Sequence, residues 1–240
     1  MEVPFYYADL IELHKSKALS QEGGLFPFGK PFPCLNDRKA QSGEGRGHYF
    51  HQDLLVARRI FQNCPQCHVD IGSRIDGFVA HVAVFREIEV IDIRPLTTPI
   101  TNVRFIQGDL MAGVDERLHD YSDSLSCLHA LEHFGLGRYG DPIDFDGHLH
   151  GFENMSKILR SGGKFYFSVP IGPQRIEFNA HRIFSLGYLL QLFAGKFQVD
   201  GFSLVDDAGD LRENIALEPR EVENNFGCQC GCGIFELTKI

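Results

Sequence analysis

The densest chemistry in the chain lies at residues 129–150, where His129, Glu132 and His133 are followed by Asp141, Asp144, Asp146, His148 and His150, with His181 further on. Imidazole and carboxylate groups at this spacing suit two kinds of work on a hydroxyl. In the first, His133 is a general base, its ordinary pKa near neutrality, and Glu132 or another carboxylate orients it. In the second, His129, Glu132, His133 and His181 bind a divalent metal that positions and acidifies the hydroxyl. A third reading gives them structural duty only: Glu132 and His133 cap a helix start, and His181 fixes a loop.

Three acids form a second set. Asp70 in VDIGS, Asp92 in VIDIR and Asp109 in QGDL each stand at or just past the end of an apolar run. A carboxylate at the second position can accept two hydrogen bonds from a ribose diol, and Asp109 could accept from an adenine amino group. Gly72 would let the backbone approach a ligand closely. Five thiols make a third set, Cys64 and Cys67 in CPQC and Cys228, Cys230 and Cys232 in CQCGC. CxxC is a familiar zinc half-site. The first pair precedes the first strand, whereas the second run enters the last strand from the opposite end, so the two should lie a sheet-length apart. Separate metal sites or, preferably, plain reduced thiols are expected.

The elements that must position these groups alternate along the chain. After a short helix expected over residues 7–19 and a Gly- and Pro-rich stretch, Phe50, Leu54, Leu55, Ala57, Ile60 and Phe61 have helical spacing. CHVDIG, IEVIDI, VRFIQGDL, SLSCLHAL and KFYFSVP read as five strands. GFVAHVAVF, GFENMSKILR and SLGYLLQLFAG read as helices, the second stopped by Ser161-Gly162-Gly163 and the third capped by Ser185. KFQVDGFSLVDD and GIFELTKI close the chain as two strands with no helix between them. The expected fold is therefore α/β: a doubly wound, mostly parallel seven-stranded sheet with helices on both faces and a terminal antiparallel hairpin. Residues 1–47 are expected to be an extension or lid on a domain of residues 48–240.

The ordered acids in this frame resemble the class I S-adenosylmethionine-dependent methyltransferases, over roughly residues 48–240. LHALEH, KILRSGGKFYFSVP and NAHRIFSLGYLLQLF are similar to the branch carrying a Leu-Glu-His, a Gly-Gly turn before the fifth strand, and a His ahead of the next helix. The resemblance implies that S-adenosylmethionine lies against Asp70, Gly72, Ser73 and Arg74 at its amino-acid end, Asp92 and Ile93 at the ribose, and Asp109 and Leu110 at the adenine, with His129 also at the cofactor. His48, Tyr49 or Gln52 could touch its carboxylate or ammonium end. Arg74 and Asp76 stand where further glycines are usual, so the loop should be differently shaped. GxGxxG is absent and Asp76 would repel a pyrophosphate, which disfavours a nicotinamide cofactor. The four-residue metal set is similar to the two-Glu, two-His site of small-RNA 2′-O-methyltransferases, except that His129 replaces a Glu. That change leans toward a softer metal than magnesium, or toward none.

Composition narrows the acceptor. A net charge of −9 disfavours bulk nucleic acid. The fourth strand is not followed by the Asn/Asp-Pro-Pro-aromatic signature of base amino-group methylation. O-methylation of a polar small molecule or glycan is the resulting expectation. The rivals are a catalytically degenerate binding or scaffold protein and a nucleotide-dependent enzyme on a related fold. With 43% hydrophobic and 23% charged residues the chain reads as globular. It has no apolar run long enough to span a bilayer and no leader-like start, so no membrane partner and a cytoplasmic location are expected. Seven cysteines, an odd number, fit reduced thiols.

Overall fold

The computed structural model describes residues 3–240 and divides into two compact units, Met1–Gly45 and Arg46–Ile240. The first holds helix α1 (Val3–Leu19), longer at its start than the spacing predicts, and one 3-10 turn at Asp37–Lys39. Lys17 Nζ donates to the Phe26 carbonyl at 2.7 Å, and Arg38 pairs with Asp9 at 3.0 Å. Among its described residues none is buried, so polar ties rather than a core hold this unit.

The second unit carries the sheet. Helix α2 (His48–Asn63) ends at Cys64 in the left-handed conformation and leads into β1 (His68–Ile71). A π-turn at Ile75–Val79 runs into the short α3 (Ala80–Ala83), followed by β2 (Ile88–Asp92), β3 (Val103–Gln107) and β4 (Ser122–Leu128). Then come α4 (Gly147–Ile158), β5 (Leu159–Ile171), a ribbon of β6 (Arg175–Glu177) and β7 (His181–Ile183), and α5 (Leu186–Phe193). β8 (Phe197–Val205), β9 (Leu211–Arg212), α6 (Pro219–Glu223) and β10 (Gly231–Lys239) complete the chain.

The sheet order is β3-β2-β1-β4-β5-β10-β8-β9. The pairings among β1 to β5 are parallel, and β10 inserts antiparallel between β5 and β8. The expected doubly wound sheet with its antiparallel end is therefore present, the two-residue β9 adding an eighth strand to the seven read from sequence. Alternation within β5 feeds both cores. Phe165, Phe167 and Val169 join Phe152, Met155, Leu189 and Phe193 of α4 and α5 on one side, and Tyr166 joins Leu55, Val56, Ile60 and Val82 of α2 and α3 on the other. Each such side chain, fully buried, contributes about 1.5–3 kcal/mol.

Three local expectations change. The helix read at GFVAHVAVF starts as a π-turn whose Gly77 is non-helical (φ −124°, ψ −114°), and only Ala80–Ala83 is regular α-helix. A Cβ on Gly77 would stand 3.0 Å from Asp53 Oδ2, so α2 packs over the turn there. The helix GFENMSKILR ends at Ile158, because buried Leu159 turns extended (φ −83°, ψ 130°) and already pairs with Ser122. Ser161-Gly162-Gly163 therefore lies in an irregularity within β5, with Gly162 at φ +77°, not at the helix end. Ser185 does cap α5, its hydroxyl accepting from the Tyr188 amide at 3.3 Å. Among the described residues no helix is long and apolar enough to cross a membrane.

Candidate functional site

Strand order reverses between β1 and β4, and a doubly wound sheet opens a crevice there, beyond the carboxyl ends of its strands. Two adjoining cavities occupy it. One of about 540 Å³ is lined by Gly72, Asp92, Ile93, Asp109, Leu110 and His133 among others. The second, of about 740 Å³, is lined by Tyr49, Gln52, Asp53, Ser73, Arg74 and Arg138 among others. Gly72, Arg94, His129 and Tyr139 line both.

Gly72 makes the entry to the crevice possible. It has φ +72°, and a Cβ there would come within 2.9 Å of the Ala130 Cβ. Asp70 is fully buried behind it and does not face the cavities. Its Oδ2 accepts from the Ser73 amide at 3.0 Å, and its Oδ1 accepts from the hydroxyls of Ser73 at 2.8 Å and Ser126 at 2.5 Å. Asp70 thus braces the turn that presents Gly72 and Ser73. Burial outweighs these bonds and pushes its carboxyl up to about 7. His68 continues the chain, with Nε2 3.1 Å from Ser126 Oγ and Nδ1 2.8 Å from Ser124 Oγ.

Asp92 reaches the first cavity but already has a partner. Its Oδ1 accepts from the Arg94 amide at 2.8 Å and Nε at 3.0 Å, and its Oδ2 from the Arg94 guanidinium at 2.5 Å. The same guanidinium lies 4.5 Å from the centre of the Tyr139 ring. A carboxylate has about four acceptor positions, so three are taken. Asp109 also lines this cavity, with Oδ1 holding the Met111 amide at 2.8 Å. Arg74 and Asp76 pair with each other at 2.8 Å, so the Arg74 guanidinium is turned toward Asp76 on the surface while Arg74 still lines the second cavity.

The His- and acid-rich segment divides into two groups. Asp141 holds the amides of Gly137 at 3.0 Å and Tyr139 at 3.1 Å, and Asp144 holds the Asp146 amide and His150 Nδ1, both at 2.9 Å. His148 meets the Tyr188 hydroxyl at 2.7 Å, and Arg182 of β7 donates to the carbonyls of Phe134 at 2.5 Å and Phe145 at 2.9 Å. These residues shape the loop over the crevice; of them Asp141 also lines the first cavity. Glu132 is the hub of the other group. Its Oε1 is 2.8 Å from His129 Nδ1 and 3.6 Å from His133 Nε2. Burial works to raise the Glu132 carboxyl, but both imidazoles outweigh it and hold it below the usual range. Burial likewise works against a charged His129, yet Cys232 and Glu132 raise it well above the ordinary value.

His133 donates from Nδ1–H to the Ala180 carbonyl at 2.7 Å, since a carbonyl can only accept. Nε2 is then the free basic atom, too far from Glu132 for a hydrogen bond. Burial lowers its pKa, so the ring is neutral near pH 7. His181 stands apart, its ring 6.5 Å from that of His133 and its Nε2 3.2 Å from Glu177; it lines neither cavity. Among the described residues, the metal-donor atoms that converge within 4.8 Å belong to His48, His129 and Cys232, which include only His129 of the four residues whose spacing suggested a metal. Burial, then the neighbouring His129, lowers His48 to about 4.

Sequence reasoning missed Arg94, Tyr139, Asp53 and Cys232 in their present roles. Arg94 could have been found as a cation two residues past a strand-end acid; the others depend on tertiary approach.

No curated protein matches the chain in sequence. Among solved structures it is similar to the 1,6-didemethyltoxoflavin-N1-methyltransferase of Burkholderia thailandensis, solved with 1,6-didemethyltoxoflavin and S-adenosylhomocysteine (14% identity, 78% of each chain, TM-score 0.55). It is similar to the N-methyltransferase NodS of Bradyrhizobium japonicum WM9, in complex with S-adenosylhomocysteine (12% identity, 80% of this chain and 88% of that one, TM-score 0.51). It is also similar to the [4+2]-cyclase SpnF (14% identity, 82% of this chain and 85% of that one, TM-score 0.55). At these identities the likeness is one of fold, and the fold is that of the class I S-adenosylmethionine-dependent methyltransferases. A family model matches residues 105–226, just over half of the chain, and the chain belongs to that family, described as "Caenorhabditis protein of unknown function, DUF268".

Proposed function

We propose that the chain is an S-adenosylmethionine-dependent methyltransferase acting on an oxygen of a polar small molecule or glycan. The observation that carries this reading is that Gly72, Asp92 and Asp109, at the ends of three successive strands, line one cavity on this fold. In this reading the cofactor's adenosine lies in that cavity, with Asp92 offered to the ribose diol and Asp109 to the adenine. The glycine at position 72 leaves its backbone open to the amino-acid end, with Tyr49, Gln52 and Ser73 around it. When bound, the sulfonium supplies an electrophilic methyl group. His133 Nε2 would accept the proton of the acceptor hydroxyl, and the Glu132 carboxylate 3.6 Å away would stabilise the imidazolium.

One observation favours a second reading, a binding protein without methyl transfer: Arg94 already engages both oxygens of Asp92. Release of S-adenosylhomocysteine from S-adenosylmethionine in the presence of acceptor separates these, and calorimetry with S-adenosylmethionine, S-adenosylhomocysteine and NAD tests the cofactor itself. The leading reading expects the two sulfur compounds to bind and NAD not to. Asp92→Ala should weaken S-adenosylhomocysteine by on the order of a hundredfold, about 3 kcal/mol for two bonds to a charged acceptor. If neither sulfur compound binds, the proposal fails.

A further inference from the structure

Three elements distant in sequence meet at one point beside the crevice. His48 opens α2, His129 follows β4, and Cys232 lies near the start of β10, opposite Pro170 of β5. One ring nitrogen of each histidine and the Cys232 sulfur lie within 4.8 Å of one another. Tetrahedral zinc would need separations of about 3.3–3.5 Å, from metal–ligand lengths of about 2.0 Å to nitrogen and 2.3 Å to sulfur. Binding an ion would draw the three donor atoms together to those separations.

An independent observation at His129 points to a ligand. Its side chain is 6% exposed, Nδ1 is engaged by Glu132 at 2.8 Å, and Nε2 is buried with no hydrogen-bond partner. A buried polar atom left bare carries a penalty of about 1–3 kcal/mol, which a coordinated ion would remove. The arrangement around it is the usual surrounding of a ligating histidine: a carboxylate on one ring nitrogen fixes the tautomer and leaves the other free for metal. Cys232 is fully buried; its thiol makes a long contact, 3.7 Å, to Gln52 Oε1 and is also the neighbour that acts most strongly on His129. That oxygen is in turn held by the Ser168 hydroxyl at 2.6 Å. The His48 and His129 rings lie 5.2 Å apart.

We infer that His48, His129 and Cys232 form a binding site for one divalent ion of the zinc class. Two imidazoles and one thiolate are nitrogen and sulfur donors, which select a borderline-soft ion over magnesium or calcium. Three protein ligands leave a tetrahedral ion one further position, for water or a ligand oxygen, and His129 lines both cavities. This set shares only His129 with the four residues whose spacing suggested a metal. The CxxC pair is not involved: Cys64 and Cys67 lie at the amino end of β1, whereas Cys232 lies beside Pro170 at the carboxyl end of the parallel strands. The inference does not rest on the methyltransferase reading.

The test is metal binding by the full chain, read without turnover. Chelator-treated protein titrated with cobalt(II) should show intense tetrahedral d–d bands and a thiolate-to-cobalt charge-transfer band, both saturating at one ion per chain and displaced by zinc. Cys232→Ser should abolish the charge-transfer band, and His48→Gln should weaken cobalt at least tenfold while keeping the band. Glu132→Gln, a change at a positioning residue, should weaken cobalt about 10–100-fold. Cys67→Ser should bind as the unaltered chain does. Circular dichroism verifies that each variant is folded, and His48→Gln, at a half-buried helix start, keeps the test open if Cys232→Ser does not fold. Absence of the charge-transfer band in the unaltered chain overturns the inference, as does its survival in folded Cys232→Ser or unchanged affinity in folded His48→Gln. Because S-adenosylhomocysteine calorimetry is a separate measurement, failure here leaves the proposed function standing, and the reverse also holds.

Discussion

Replacing His68 by leucine should remove an acid sensitivity built into β1. His68 is fully buried, with Nδ1 2.8 Å from Ser124 Oγ and Nε2 3.1 Å from Ser126 Oγ. Ser126 gives its own hydrogen to Asp70, so Nε2 must be the donor and Nδ1 the acceptor in a neutral ring. Protonation would place a charge in the core. Burial, aided by Arg86, lowers the pKa to about 3 from 6.5. Between those values the unfolded chain binds a proton that the folded chain does not. Stability from this group is therefore complete above pH 6.5 and is lost as pH falls toward about 3. At about pH 4.5 the loss is two pH units at about 1.4 kcal/mol each, about 3 kcal/mol. A domain has about 5–15 kcal/mol in total.

Asp70 titrates with the opposite sign. Its carboxyl, raised to about 7, binds protons in the folded chain first, so its contribution grows as pH falls from about 7 toward 3.8. The unaltered chain mixes both effects, and the difference between it and His68→Leu isolates the histidine. The assay is urea unfolding followed by circular dichroism at constant ionic strength, from about pH 7 to about pH 4.5. The unaltered chain should lose about 3 kcal/mol more than His68→Leu across this range. Parallel profiles would refute the argument, because the lost hydrogen bonds themselves do not depend on pH.

Two further outcomes concern the crevice. His133→Ala should lower kcat at saturating acceptor by about 10²–10⁴, with S-adenosylhomocysteine affinity changed only a few-fold; unchanged turnover would remove His133 as the base. Arg94→Ala should tighten S-adenosylhomocysteine by about fivefold in calorimetry, because the half-exposed guanidinium no longer competes for Asp92, a contribution of about 1 kcal/mol. Weaker binding would mean that Arg94 holds the ligand rather than opposing it.

The alternation of apolar runs with helical spacing was enough to read the sheet, since each strand and helix is a local pattern that one folding solution satisfies. The misread segments are those where distant packing overrides local preference. Asp53 of α2 packs over Gly77 and accompanies a π-turn there, and the buried Leu159 turns a helix end into a strand. Of the residues expected around a cofactor, Gly72, Ser73, Arg74, Asp92, Ile93, Asp109, Leu110 and His129 line the crevice, because the carboxyl end of a parallel strand fixes where its next residues point. Asp70 does not line it, although it is the acid that closes the first strand. Three nearby hydroxyl and amide donors draw its side chain inward.

The order of acids at strand ends, the closing antiparallel strands and the clustering of His129, Glu132 and His133 were determined by the sequence itself, through period and short-range spacing. Tertiary structure alone decided that Arg94 covers Asp92, that His181 stays outside the crevice, and that His48 and Cys232 close on His129. The reason is geometric. Which side chains meet depends on the order of strands in the sheet and the direction of each side chain, and neither is encoded in the spacing of residues along one element.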